Sequence, residues 1–147
     1  MKNGRLFFRL LGLAVVVLLG IAYYGVKKYN SPHISLCEIS ALDLRAMQDS
    51  LVLCVAYEDR NGDIGSESET TLFIEDTRNS MLLDYSVPRL LPDSLKGAVT
   101  GRFYVVIRFI PLLGDTGTER FSYRIRLVDR KGNSSNVLST PLITLKP

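Results

Sequence analysis

Asp59, Asn61 and Asp63 stand at alternating positions in the segment Glu58-Asp59-Arg60-Asn61-Gly62-Asp63-Ile64-Gly65, directly after the apolar run Leu51 to Tyr57. Short oxygen-bearing side chains spaced two apart in a turn can converge on one hard cation, so the chemistry this spacing allows is calcium coordination. Glu67 or Glu69 is the candidate for a further ligand in a different loop geometry, with Glu67 the first choice. The match to an EF-hand is partial, because that loop needs glycine at its sixth position and a bidentate glutamate at its twelfth, where this chain has Ile64 and Thr70. The other reading of the same residues is a plain turn, in which Gly62 and Gly65 take positive φ and the Asp and Asn side chains cap local amides. A looser copy follows 70 positions later, where Tyr123-Arg124-Ile125-Arg126-Leu127-Val128 runs into Asp129-Arg130-Lys131-Gly132-Asn133. This second segment reads as a tight turn, capped by the hydroxyls of Ser134 and Ser135.

A second set of chemical groups comes from alternation along two strands. Val99, Gly101, Phe103, Val105, Ile107 and Phe109 share one face, as do Phe121, Tyr123, Ile125 and Leu127. Arg102, Tyr104, Arg108, Arg124 and Arg126 then point the other way. If Gly114-Asp115-Thr116-Gly117 closes a hairpin, they form one Arg/Tyr surface across two neighbouring strands. Guanidinium forks suit the oxygens of an anionic glycan, a phosphate-bearing lipid or an acidic protein. The alternative is a solvated face paired with acids of the same domain, such as Glu75 and Glu119.

Catalytic signatures are incomplete. The one histidine, His33, has no Gly-x-Ser-x-Gly elbow to serve, and neither Cys37 nor Cys54 sits in a reactive motif. No close ligand pair of the CxxC type supports zinc. Cys37 and Cys54 fit either a disulfide in an oxidising compartment or two small buried apolar residues. An enzyme is therefore not expected, and calcium is the one cofactor considered. The competing function is a hydrolase of envelope polymers working through the acidic turn, which requires a concave pocket holding Asp59, Asp63 and Glu67 together.

The elements that must position these residues begin with an apolar segment. Leu10 to Val26 carries no charge over 17 residues, which at 1.5 Å per residue spans roughly 26 Å, close to the bilayer hydrocarbon. Lys2, Arg5 and Arg9 precede it and Lys27 and Lys28 follow, favouring a cytoplasmic N-terminus. Gly20-Ile21-Ala22 offers a small-x-small cleavage pattern, but the run exceeds the usual core of a signal peptide, so an uncleaved anchor is expected. Residues 1–28 are read as the transmembrane anchor, 29–33 as a linker and 34–147 as an exported domain at the periplasmic or cell-surface side.

Beyond the linker, short runs rich in β-branched and aromatic residues alternate between turn signals. Strands are expected at His33 to Ser40, Leu51 to Glu58, Thr71 to Glu75, Met81 to Val87, Val99 to Ile110, Phe121 to Val128 and Val137 to Leu145, with a short element around Leu42 to Ala46. Asp49-Ser50, Thr77-Arg78-Asn79, Pro92-Asp93-Ser94 and Gly114 to Gly117 supply the turns, and Pro141 predicts that the last strand is bent or at an edge. About seven strands in a domain of this size suit an all-β sandwich.

The formal charge of +3 belongs to the anchor. The five basic residues Lys2, Arg5, Arg9, Lys27 and Lys28 flank it, leaving 13 basic against 15 acidic residues from Tyr29 onward. Nucleic-acid binding by a globally basic surface is thereby excluded. Charge is instead segregated, with a net −6 over Glu58 to Asp76 and +5 over Lys96 to Lys131.

Val55-Ala56-Tyr57 followed by Glu58 to Gly65, then Tyr85-Ser86-Val87-Pro88, Gly101-Arg102-Phe103 and Leu127 through Asn136, taken in order, resemble small envelope proteins of Bacteroidota. Many of these are lipoproteins with one immunoglobulin- or fibronectin III-like domain. The resemblance implies a β-sandwich exposed in the periplasm or at the cell surface, mostly of unknown function, with no catalytic residues to carry over. The lipoprotein form needs a cysteine directly after a short signal, whereas Cys37 follows Leu36 well beyond the apolar run, so a transmembrane anchor takes the place of the lipid. The expected protein is a membrane-anchored, non-enzymatic binding or assembly module of the bacterial envelope, with an envelope protein or an anionic glycan as partner.

Overall fold

The computed structural model describes residues 2–69, 71–92, 95, 97–114 and 117–147, and of residues 2–7 only the backbone. Thr70 and Lys96, with Asp93, Ser94, Asp115 and Thr116 of two expected turns, lie outside the described residues. The chain divides into two compact units, 1–30 and 31–147.

The first unit is one helix, α1 (Lys2–Tyr29), in which Phe8–Tyr29 is long and apolar enough to cross a membrane and buries none of its side chains within the protein. Lys27 and Lys28 fall in its last turn, where cations complement the carbonyl end of the helix. The helix runs through Tyr29, one residue into the expected linker, and the Asn30 amide still donates to the Val26 carbonyl at 3.1 Å.

The second unit is built of strands. Among the described residues these are β1 (His33–Ile39), β2 (Asp43–Arg45), β3 (Leu51–Asp59), β4 (Leu72–Asp76), β5 (Met81–Tyr85), β6 (Val99–Ile107), β7 (Glu119–Phe121), β8 (Tyr123–Leu127), β9 (Leu138–Ser139) and β10 (Ile143–Lys146). They form three sheets in the orders β1-β3-β6, β2-β10-β7 and β5-β4-β8-β9. The inward faces of all three meet in one core that includes Ile34, Leu53, Val55, Leu72, Ile74, Val105, Phe121, Ile125, Ile143 and Leu145.

Two of the expected strands are split because each changes sheet. Phe121 to Val128 breaks at Ser122, where β7 pairs with β10 and β8 with β4. The Thr77 hydroxyl fastens the crossing, donating to the Ser122 carbonyl at 2.9 Å and accepting the Ser122 amide at 3.1 Å. Val137 to Leu145 breaks around Pro141, which has no N–H to continue a ladder. There β9 pairs with β8 while β10 pairs with β7 and, in parallel, with β2. The bend expected from Pro141 is thus present.

Alternation on β6 holds as far as Ile107 and then fails. Phe109, expected on the core face, is 69% exposed and sits at φ 56°, while Ile110 is buried instead. The left-handed residue shifts the inward face by one, and the Ile110 carbonyl leaves the sheet to accept the Met47 amide at 3.0 Å.

Candidate functional site

Odd-numbered residues of β3 face the core, and its last residue, Asp59, follows the same rule, so a carboxylate is delivered to the buried end of a strand at 2% exposure. Its Oδ2 accepts the Asp63 amide at 2.9 Å, closing a turn in which Gly62 takes φ 71°. Asp63, 6% exposed, accepts the Asn61 side-chain amide at 3.0 Å and the Lys131 ammonium at 3.0 Å, both on Oδ2. The three residues expected to act together are therefore joined by hydrogen bonds. Their remaining oxygens, Asp59 Oδ1, Asn61 Oδ1 and Asp63 Oδ1, are buried without a hydrogen-bond partner.

The second Asp-Arg-x-Gly turn packs directly against the first, which the sequence reading did not anticipate. The Arg130 amide donates to the Asp63 carbonyl at 3.1 Å. The Arg130 guanidinium binds the carbonyls of Ile64 at 3.0 Å, Gly65 at 2.9 Å and Leu91 at 3.3 Å. Asp129 repeats the role of Asp59, accepting the amide of the residue four ahead, Asn133, at 2.7 Å, with Gly132 at φ 76°. The two turns differ at Asn61 against Lys131 and at Asp63 against Asn133. Asn133 donates its side-chain amide to Asp129 Oδ2 at 2.7 Å and satisfies the buried carboxylate, whereas the equivalent residue of the first turn, Asp63, brings a second carboxyl group in place of that amide. Burial raises the pKa of both Asp59 and Asp129, and the nearby Asp63 charge adds to each shift.

Glu67 is not brought to this cluster. The Ser66 hydroxyl accepts the amides of Ser68 at 3.3 Å and Glu69 at 3.2 Å, folding a local turn that leaves Glu67 exposed. Among the described residues no three His, Cys, Asp or Glu side chains form a metal-holding group, so any cation here would rest on two carboxylates and an amide oxygen. A cavity of about 410 Å³ opens beside the turn, lined by Arg60, Asn61, Asp63, Arg130 and Lys131, among others. Asp59 and Glu67 are not on its wall.

The expected continuous Arg/Tyr surface is divided. β6 pairs with β3 and β8 with β4, so Arg102 and Tyr104 lie on one sheet and Arg124 and Arg126 on another, while Arg108 falls just past the end of β6. The hairpin assumption failed because the chain after β6 departs from its sheet at Phe109 before reaching Gly114. Arg124 lies 3.8 Å from Glu75, and the Arg126 guanidinium sits 5.4 Å from the centroid of the Phe73 ring. Glu119, the other acid expected to pair with this face, binds Arg78 instead, at 2.6 Å. Arg102 and Tyr104 on β6 and Arg108 just beyond it are exposed. Cys37 is exposed at a bulge of β1 and Cys54 is buried on β3, and both thiols are free. A hydrogen bond with Cys54 raises the Cys37 thiol pKa, and another does the same for the Tyr104 hydroxyl.

The chain matches no protein-family model and no curated protein.

Proposed function

We propose that the chain is a membrane-anchored, non-enzymatic binding or assembly module of the bacterial cell envelope. In this reading an immunoglobulin- or fibronectin III-like β-sandwich is held on the non-cytoplasmic side. The observation that carries the reading is Phe8–Tyr29, a fully exposed apolar span followed almost at once by a β-rich unit. An exposed helix of this composition needs an apolar solvent, and a bilayer supplies one while the helix satisfies its own backbone. A binding role is favoured over hydrolysis because the carboxylates a hydrolase would need do not converge on an open cleft. Asp59 is buried and Glu67 is exposed, and neither lines the cavity beside the turn, where Asp63 is the one carboxylate among the basic residues Arg60, Arg130 and Lys131.

The exposed group Arg102, Tyr104 and Arg108 is the surface proposed to take an anionic glycan or an acidic envelope protein. The full chain in detergent is expected to bind heparin beads at low salt and to be released as salt screens the contact. Replacing Arg102 and Arg108 together with Glu weakens retention about tenfold, while the same change at Arg124 and Arg126 has a smaller effect. Equal retention of wild type and both variants would remove this surface from the account.

A further inference from the structure

We infer that the turn after β3 is a calcium site, with Asp59 Oδ1, Asn61 Oδ1 and Asp63 Oδ1 as its protein ligands. Asp59 and Asp63 are more than nine-tenths buried, and each keeps one oxygen with no hydrogen-bond partner beside a buried amide oxygen in the same condition. Leaving a buried acceptor unpaired is costly, and three in one turn amount to a standing demand for a positive centre. A proton shared between the two carboxyls answers at most that pair and does nothing for Asn61 Oδ1. Lys131 does not meet the demand either: its ammonium binds Asp63 Oδ2 rather than any of the three oxygens, from a side chain 65% exposed. A divalent cation takes carboxylate and amide oxygens alike as ligands.

Hard oxygen donors on an irregular loop suit calcium, which tolerates six to eight ligands in flexible geometry and fills the rest with water. Magnesium demands a near-ideal octahedron. The second turn supplies an internal comparison. With Asn133 in place of Asp63, the equivalent carboxylate of Asp129 is paired by a side-chain amide, and no oxygen there is left over. The first turn differs at two positions, with Asn61 where the second has Lys131 and Asp63 where it has Asn133, and its two carboxylates and one amide keep three oxygens without a partner. Few protein ligands imply modest affinity, in the range of about 10⁻⁴–10⁻³ M typical of extracellular calcium modules. The inference is independent of the membrane anchor.

The test uses the full chain in detergent, melted in chelator, in about 10 mM magnesium and in about 10 mM calcium. Calcium is expected to raise the melting temperature of the β-rich unit by about 5 °C over the other two conditions. Asp63→Asn, which copies Asn133, is expected to melt in chelator no lower than wild type and to lose the calcium shift. Asn61→Ala keeps the fold and weakens calcium binding about tenfold, as read by titration calorimetry on wild type and variant. Identical wild-type melting in calcium, magnesium and chelator would overturn the inference. So would a calcium shift that survives in Asp63→Asn, or a calorimetric titration of wild type with no saturable heat.

Discussion

Gly65→Ala is expected to cost the β-rich unit about 4 kcal/mol, one of the largest losses available from a single methyl group. Gly65 sits at φ 80°, a conformation that penalises any side chain by about 1–2 kcal/mol. A Cβ at this position would also run into the backbone carbonyl of Pro88, and backbone cannot rotate away as a flexible side chain can. The segment is pinned from both directions, because the Gly65 carbonyl accepts Arg130 and the next amide, that of Ser66, donates to Val87 at 2.9 Å. Gly132→Ala is the control. Gly132 has a similar φ of 76° but nothing within 4 Å of an added Cβ, so it pays only the conformational part, about 1 kcal/mol. Urea unfolding followed by the near-ultraviolet circular dichroism of the tyrosines measures both. Equal losses at Gly65 and Gly132 would mean that the Pro88 carbonyl yields.

Arg78→Ala is expected to cost about 3–5 kcal/mol, because it removes the partner of a buried carboxylate. The guanidinium binds Asp76 at 2.6 Å, Glu119 at 2.6 Å and the Pro111 carbonyl at 2.9 Å, and it lies 4.0 Å from the centroid of the Phe121 ring. Asp76 is 2% exposed, so its carboxyl group is left in the interior without its cationic partner when Arg78 is gone. One side chain thus joins the end of β4 to β7 and to the segment after β6, three pieces with no ladder in common. Arg78→Lys recovers only part of the loss, since an ammonium cannot reproduce the planar fork. The backbone N–H of Gly114 and then Arg78 hold Glu119 below the usual carboxylate range. A carboxylate whose pKa is depressed on folding stabilises above its unfolded pKa, and that contribution is lost as pH falls through the folded value. The gap between wild type and Arg78→Ala therefore narrows on acidification. A loss under about 1 kcal/mol at neutral pH would show that Asp76 finds another partner.

What could be read from the residues was local. The apolar segment declares α1 because its length and lack of charge are properties of consecutive positions. Alternation declares β6 and β8 for the same reason, whereas β3 shows itself as a continuous apolar run, Leu51 to Tyr57, which does not foretell that Asp59 turns inward. Pairing partners are not local. The two stretches expected as neighbouring strands belong to different sheets, β6 beside β3 and β8 beside β4, and Phe109, left-handed just past the end of β6, is of a residue type that gives no warning of it. Glu67 has the right charge and spacing for a ligand but is turned outward by the hydroxyl of its neighbour Ser66. The repeated Asp-Arg-x-Gly was visible, whereas its meaning required the contact between Arg130 and Asp63 across the fold. That contact makes Asn133 and Asp63 comparable, and only the comparison shows which of the two turns is short of a partner. Arg78 left no sequence signal beyond its place in a turn, since its three partners are 2, 33 and 41 positions away.

The central claim is an uncleaved anchor holding a β-rich module at the membrane, and N-terminal sequencing of the native protein from carbonate-washed membranes tests it most directly. The chain is expected to stay in the membrane pellet with its first residue ahead of Leu10 and Phe8–Tyr29 retained as the span. A soluble chain beginning near Tyr23, just past Gly20-Ile21-Ala22, would contradict it.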